Sequence, residues 1–181
     1  MDPPGRISAL QTFLPYADYD ESARVLDNKR LFKQAVEALQ IMQAMTQRRL
    51  VSQYQGQGPR GGTKWLPLPE DQWYIEHRRV GWGNHPATRM WVGAGFELLQ
   101  YQDAICAEVR RRGRDDGNLV KKIDLVFIDA VDYMEMNGTP KWYGVPGFHE
   151  SHRSNLLHKD PEHYGQFGWT EEPQEGYLWP A

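Results

Sequence analysis

Glu37 has the most suggestive neighbours of any residue in this chain that could do chemistry. If residues 28–40 are helical, the 3.6-residue period gathers Lys29, Arg30, Lys33, Gln34, Glu37 and Gln40 onto one arc of about 140°. That arc is a single carboxylate in a field of cations and amides. Opposite charge at this spacing holds a carboxylate ionised, and the same cations attract a phosphate backbone. The plainer reading is a solvated helix face, with Lys33 and Glu37 as an i,i+4 pair worth roughly 0.2–0.5 kcal/mol.

Other clusters carry their own two readings. Gly81-Trp82-Gly83-Asn84-His85-Pro86 is a glycine-spaced turn that delivers Asn84 and His85 to a helix start. Free N–H groups and the dipole favour phosphate there, and the same two side chains serve equally as ordinary caps. Residues 149–155 are polar for a short helix. His149 and His152 have the i,i+3 spacing of two metal ligands, but a zinc site needs more, and no further ligand stands at a known spacing. The expectation is no metal and no cofactor. Arg153, Ser154 and Asn155 suit phosphate contacts instead. Arg60, Lys64, Arg78 and Arg79 are interleaved with glycines and with Trp65, Trp73, Tyr74 and Trp82. Cations for the backbone and rings for stacking are what a nucleic-acid groove needs, although tryptophans also build ordinary cores. By contrast, Arg110, Arg111, Arg112 and Arg114 close a helix C-terminus, where the dipole favours cations, and read as structural.

The elements that must position these groups follow from periodicity. Residues 19–47 form the first long helix, with Asp18 and Glu21 as a capping box and Val25, Leu31, Phe32, Ala35, Val36, Leu39 and Met42 on its apolar side. Residues 86–112 form the second, with Pro86 at its first position and Met90, Trp91, Ala94, Leu98, Tyr101, Ile105 and Val109 facing inward. Val92 and Phe96 lie opposite, so its N-terminal half is expected to be buried all round. Shorter helices are expected over 119–136 and 149–158. Residues 1–17 read as extended, 48–84 as a long Gly/Pro-rich loop and 161–181 as an aromatic tail. The expectation is an all-α fold, a single helical domain over residues 1–181, built on two long packed helices with shorter ones and long loops around them.

Bulk properties narrow the class. A chain of 181 residues buries enough surface to need no staples. Its net charge of −3 argues against coating nucleic acid nonspecifically. Residues 1–80 carry eleven Lys or Arg against nine Asp or Glu, and residues 81–181 ten against fifteen, so an anion-binding face must be a local patch. The single cysteine, Cys106, fits a reducing compartment. No apolar run approaches the roughly 20 residues that span a bilayer, and no secretory signal opens the chain. A cytoplasmic location without a membrane partner is expected.

Three stretches resemble the pyrimidine-dimer DNA glycosylase family, the small phage-type UV endonucleases and their relatives. They are Val25-Leu26-Asp27-Asn28-Lys29-Arg30-Leu31 leading to Val36-Glu37; Asn84-His85-Pro86 through Met90-Trp91-Val92-Gly93-Ala94-Gly95 to Arg110-Arg111-Arg112-Gly113; and Ser151-His152-Arg153-Ser154-Asn155-Leu156-Leu157 with Lys159 and Tyr164-Gly165-Gln166-Phe167-Gly168-Trp169. The resemblance implies an all-α fold of three helices and cofactor-free glycosylase and abasic-site lyase action on UV-damaged DNA. It implies that Glu37 is the catalytic carboxylate, stabilising the positive sugar and assisting proton movements while an amine attacks C1′ to form a Schiff base. A flipped-out base lowers the cost of reaching that sugar.

In the family the amine is the chain's own N-terminus, whose pKa of about 8 leaves it substantially neutral. This chain has extra residues before Leu10, and Met1 before Asp2 is a poor substrate for methionine removal. Either the extension folds back, or Lys29 or Lys33 substitutes, or the lyase step is absent. The expected partner is double-stranded DNA with a damaged or modified pyrimidine, held by Lys29, Arg30, Lys33, Asn84, His85, Arg153 and Asn155. A non-catalytic nucleic-acid-binding protein of the same fold is the alternative, and a metal-dependent hydrolase using His149 and His152 a third class.

Overall fold

A computed structural model describes residues 11–57, 62–78, 81–115 and 118–180. Residues 1–9 of the expected N-terminal extension, Arg60 and Arg79 therefore lie outside the described residues.

The all-α expectation is overturned. Of the described residues 54% are helical and 12% strand, with two small antiparallel sheets beside the helices. The first long helix is two: α1 (Tyr19–Val25) and α2 (Asn28–Thr46). Leu26 is extended, and the Asp27 carboxylate caps the new start by accepting the N–H groups of Lys29 and Arg30. A local cap there outweighs a continuous periodicity. Asp18 caps α1 as expected, accepting the Glu21 N–H at 2.7 Å.

Residues 48–84, expected as an irregular loop, hold four strands: β1 (Arg48–Val51), β2 (Gln53–Gln57), β3 (Thr63–Pro67) and β4 (Tyr74–His77). β1 pairs with β4 and β2 with β3, both antiparallel. β2 sets three glutamines on one face and only Tyr54 and Gly56 on the other, too little apolar surface for the alternation by which a strand is recognised.

The second long helix is also split, into α3 (Pro86–Arg89) and α4 (Gly95–Arg111), at a turn where Gly93 takes φ +80°. Its inner face is as expected: Met90, Trp91, Ala94, Leu98, Tyr101, Ile105 and Val109 are all buried. The opposite side is not. Val92 and Phe96 are 61% and 56% exposed, while residues 134–137 cover the other side of the turn, where Asn137 N–H donates to the Gly93 carbonyl. Helix α5 (Leu119–Ala130) ends in a short 3-10 turn, and α6 (Pro146–Lys159) begins earlier than expected, at a proline suited to a first turn. A four-residue α7 (Pro161–Tyr164) opens the tail.

One apolar cluster joins α1, α2, α4, α5 and α6, with Leu31, Ile41, Met42, Leu98 and Ile105 at its centre. Trp91 stacks on Tyr101 and meets Trp142 edge-on. Arg112 ties the end of α4 to the α1–α2 junction, pairing with Glu108 and donating to the carbonyls of Arg24 and Leu26. The arginine run is thus structural at its two best-anchored positions, since Arg111 also pairs with Glu108.

Candidate active site

Residues 11–15 run as an extended segment across the buried side of α2, and side chains take up most of its backbone groups. The Gln34 amide is the centre of this grip. Its Oε1 accepts the Phe13 N–H at 3.0 Å and the Tyr101 hydroxyl at 2.6 Å. Its Nε2 donates to the Gln11 carbonyl at 3.1 Å and to Glu37 Oε2 at 2.7 Å. The Tyr177 hydroxyl accepts the Thr12 N–H, Nδ1 of His152 accepts the Leu14 N–H, and Nδ1 of His149 meets the Leu14 carbonyl at 2.8 Å. Arg153 reaches the Pro15 carbonyl at 2.7 Å.

Glu37 stands at the head of this segment. It is 4% exposed, so the solvated-face reading fails. The Gln11 backbone N–H donates to its carboxylate, and Lys33 Nζ lies 3.4 Å from Oε1. The expectation that nearby cations hold it ionised is also corrected. Burial dominates and pushes its pKa up to about 7, against the pull of Lys33, Gln11 and Gln34. A carboxyl group poised near neutrality can hold or yield a proton as its surroundings demand.

The expected site residues separate into two groups. Lys29 is exposed on the first turn of α2, and Lys33 is half-buried beside Glu37. Arg30 is engaged by Asp27 and Asp160 and lies over the Tyr164 ring. Asn84 is exposed and lines a cleft of about 940 Å³ together with Arg89, Asn137, Lys141 and Trp179. His85 caps α3, its Nδ1 accepting the Ala87 N–H at 3.1 Å, and burial lowers its pKa. Its ring meets Trp82 and Trp179 edge-on, and Trp179 packs on Tyr177. A chain of aromatic contacts thereby leads from the cleft to the segment beside Glu37.

Arg153 and Asn155 point elsewhere. Arg153 pairs with Glu171 and the Pro15 carbonyl, and Asn155 is 1% exposed with its amide on the Gln174 carbonyl. Both hold the fold together. His149 and His152 both meet the backbone of Leu14, and no cluster of three metal-binding side chains occurs among the described residues.

The side chains that sequence reasoning missed are Tyr101, Tyr177 and Lys159. Lys159, at the end of α6, has its pKa lowered by burial and by the charges of Arg30 and Lys33, so it joins the cationic cluster around Glu37. No periodicity relates residues 33, 101, 159 and 177.

A buried, protonatable carboxyl group beside amines and a cationic helix face defines an acid–base site suited to a polyanionic substrate. The comparison with known families agrees. The chain belongs to the pyrimidine dimer DNA glycosylase family, whose model matches residues 10–122, from the start of the gripped segment into α5. The family acts on DNA. No curated protein and no solved structure matches the chain. Among the described residues, no helix is long and apolar enough to cross a membrane.

Proposed function

We propose that this protein is a glycosylase that releases damaged pyrimidines from double-stranded DNA, with Glu37 as its catalytic carboxylate. The observation that carries this reading is a carboxyl group 4% exposed, with its pKa near 7, inside the region matched by the family. As the bond from C1′ to the base breaks, the sugar gains positive charge, and an ionised Glu37 facing it is worth most in that transition state. Protonated, the same group supplies the proton that a departing base or a collapsing adduct needs. Lys29, Lys33, Asn84 and His85 supply the DNA contacts, and binding is expected to weaken steeply with salt.

Lyase activity depends on the nitrogen beside Glu37. Among the described residues three touch its carboxylate: the side-chain nitrogen of Gln34, the backbone nitrogen of Gln11 and Nζ of Lys33. In this 181-residue chain the first two are amides, whose lone pairs are delocalised. Lys33 is therefore the amine of the lyase step in our reading, adding to C1′ of an abasic site to form an imine that borohydride can trap.

Lys33→Arg, which keeps the charge, is expected to abolish trapping on abasic duplex DNA while leaving binding within about twofold. A chain beginning at Gln11 is expected to trap even with Lys33→Arg, because an α-amine with pKa about 8 then stands against Glu37. Trapping that survives Lys33→Arg in the full-length chain would overturn the assignment.

A further inference from the structure

The β2–β3 ribbon holds chemistry that neither the core nor the site uses. From Arg48 to Pro69 the sequence carries four Lys or Arg and no Asp or Glu, in a chain of net charge −3. Arg48 and Arg49 are offset by Asp129 and Glu76, and Arg60 lies outside the described residues. Lys64 is exposed on β3 with no acidic residue on either strand of its ribbon. The ribbon's strands pair with each other and pack extensively on no other element.

Alternation and register sort its side chains. Gln53 faces Pro67, Gln55 faces Trp65 and Gln57 faces Thr63, so these six share one face. Tyr54, Gly56, Lys64 and Leu66 share the other. A Cβ on Gly56 would fall 2.5 Å from Leu66 Cδ1 and 3.1 Å from Tyr54 Cε2. The missing side chain lets Leu66 and Tyr54 meet over Gly56, although Tyr54 stays 48% exposed, so the two faces differ in chemistry: amides on one, an aromatic and an aliphatic group on the other. Gln53, Gln55, Gln57, Thr63 and Trp65 are all exposed, Trp65 at 53%. Trp65 and Gln53 also share a notch with Arg49.

The pattern fits a duplex groove. The major groove of B-DNA is about 12 Å wide and admits a two-stranded ribbon, and glutamine pairs in bidentate fashion with an adenine edge. Glutamines at every second position of a strand repeat at about 6.8 Å, close to two base-pair steps of about 3.4 Å. Along the helix axis Thr46, at the end of α2, lies roughly 14 Å beyond Glu37, about four base-pair steps away.

We propose that the β2–β3 ribbon is a second DNA-binding element, lying in the major groove of intact duplex beside the damaged site. Gln53, Gln55 and Gln57 meet base edges there, Trp65 gives apolar contact to thymine methyl groups, and the long Lys64 side chain, which starts from the opposite face, reaches round the edge of β3 to a flanking phosphate. The proposal rests on the glycosylase reading, because it needs a duplex partner.

The test compares the full-length wild type with two variants, Gln53→Ala/Gln55→Ala/Gln57→Ala and Lys64→Ala. Affinity for undamaged duplex is measured over a salt series, and thermal midpoints confirm folding. The triple variant is expected to bind about tenfold more weakly, and Lys64→Ala to lower the salt slope by about one. The rate of glycosidic-bond cleavage in dimer-containing DNA at saturating protein is expected to be unchanged in both. If the wild type cleaves dimer DNA and both variants bind like it, the ribbon proposal falls alone. If the wild type binds no duplex at all, the ribbon and the glycosylase reading fall together.

Discussion

Glu37→Gln is expected to lower base release by about a thousandfold while making the protein more stable above pH 7. The two effects share one cause. Burial raises the Glu37 pKa from an ordinary 4.5 to about 7, so the folded protein holds a proton that the unfolded chain has already lost. The stability this gives is fully present below pH 4.5 and is lost as pH rises through 7. At pH 8 the ionised group therefore costs about 3 kcal/mol relative to its protonated form. A neutral amide avoids most of that cost, and a gain of about 1–3 kcal/mol is expected at pH 8, fading toward pH 4.5. An exposed salt-bridge partner behaves otherwise, since its loss changes stability by less than about 1 kcal/mol at any pH. Denaturant midpoints at pH 5 and pH 8 separate the cases. A variant that is equally active, or destabilised at pH 8, contradicts the assignment of Glu37.

Gln34→Leu is expected to damage both fold and site, although leucine nearly matches glutamine in size. Gln34 makes four hydrogen bonds, three of them buried, to Phe13 N–H, the Tyr101 hydroxyl, the Gln11 carbonyl and Glu37. Leucine strands these groups without partners, at about 1–3 kcal/mol for each one left unsatisfied. A loss of about 3–5 kcal/mol is expected, with the thermal midpoint falling by about 10 °C or more. Activity is expected to fall as well, because both Glu37 and the segment at residues 11–14 lose an orienting contact. Gln40→Leu is the control. It belongs to the same polar arc in sequence but is only half-buried, and a change within about 0.5 kcal/mol is expected. Equal behaviour of the two variants would show that Gln34 does not organise the site.

That contrast shows what could be seen in the sequence. Periodicity found the polar arc of α2 and the inner face of α4, and the arc contains both Glu37 and Gln34. It could not tell which part of the arc faces solvent, because a buried polar network has the same composition as a wet surface. Residues 11–15 decide the matter by covering Gln34 and Glu37, and an extended segment gripped by side chains has no period of its own.

The helix breaks had local signals that a long apolar stripe concealed, namely Asp27 as a cap and Gly93 at a positive φ. The four strands were missed for a different reason. β2 and β3 bury little, so neither carries an apolar face long enough to mark a strand. Arg153 and Asn155 show the reverse error. Polar side chains suited to phosphate bond equally well to backbone carbonyls, and only the packing of the tail on α6 reveals which they meet.

The most direct measurement uses two short duplexes identical except for one cyclobutane pyrimidine dimer, each incubated with excess full-length protein. The dimer-containing strand is expected to lose one glycosidic bond at the lesion, read as an alkali-labile abasic sugar because the detached base stays joined to its neighbour through the cyclobutane ring, with the undamaged twin left intact and Glu37→Gln inert on both while still binding. A wild type that binds the dimer duplex yet leaves every glycosidic bond intact would contradict the glycosylase reading and favour a non-catalytic DNA-binding protein.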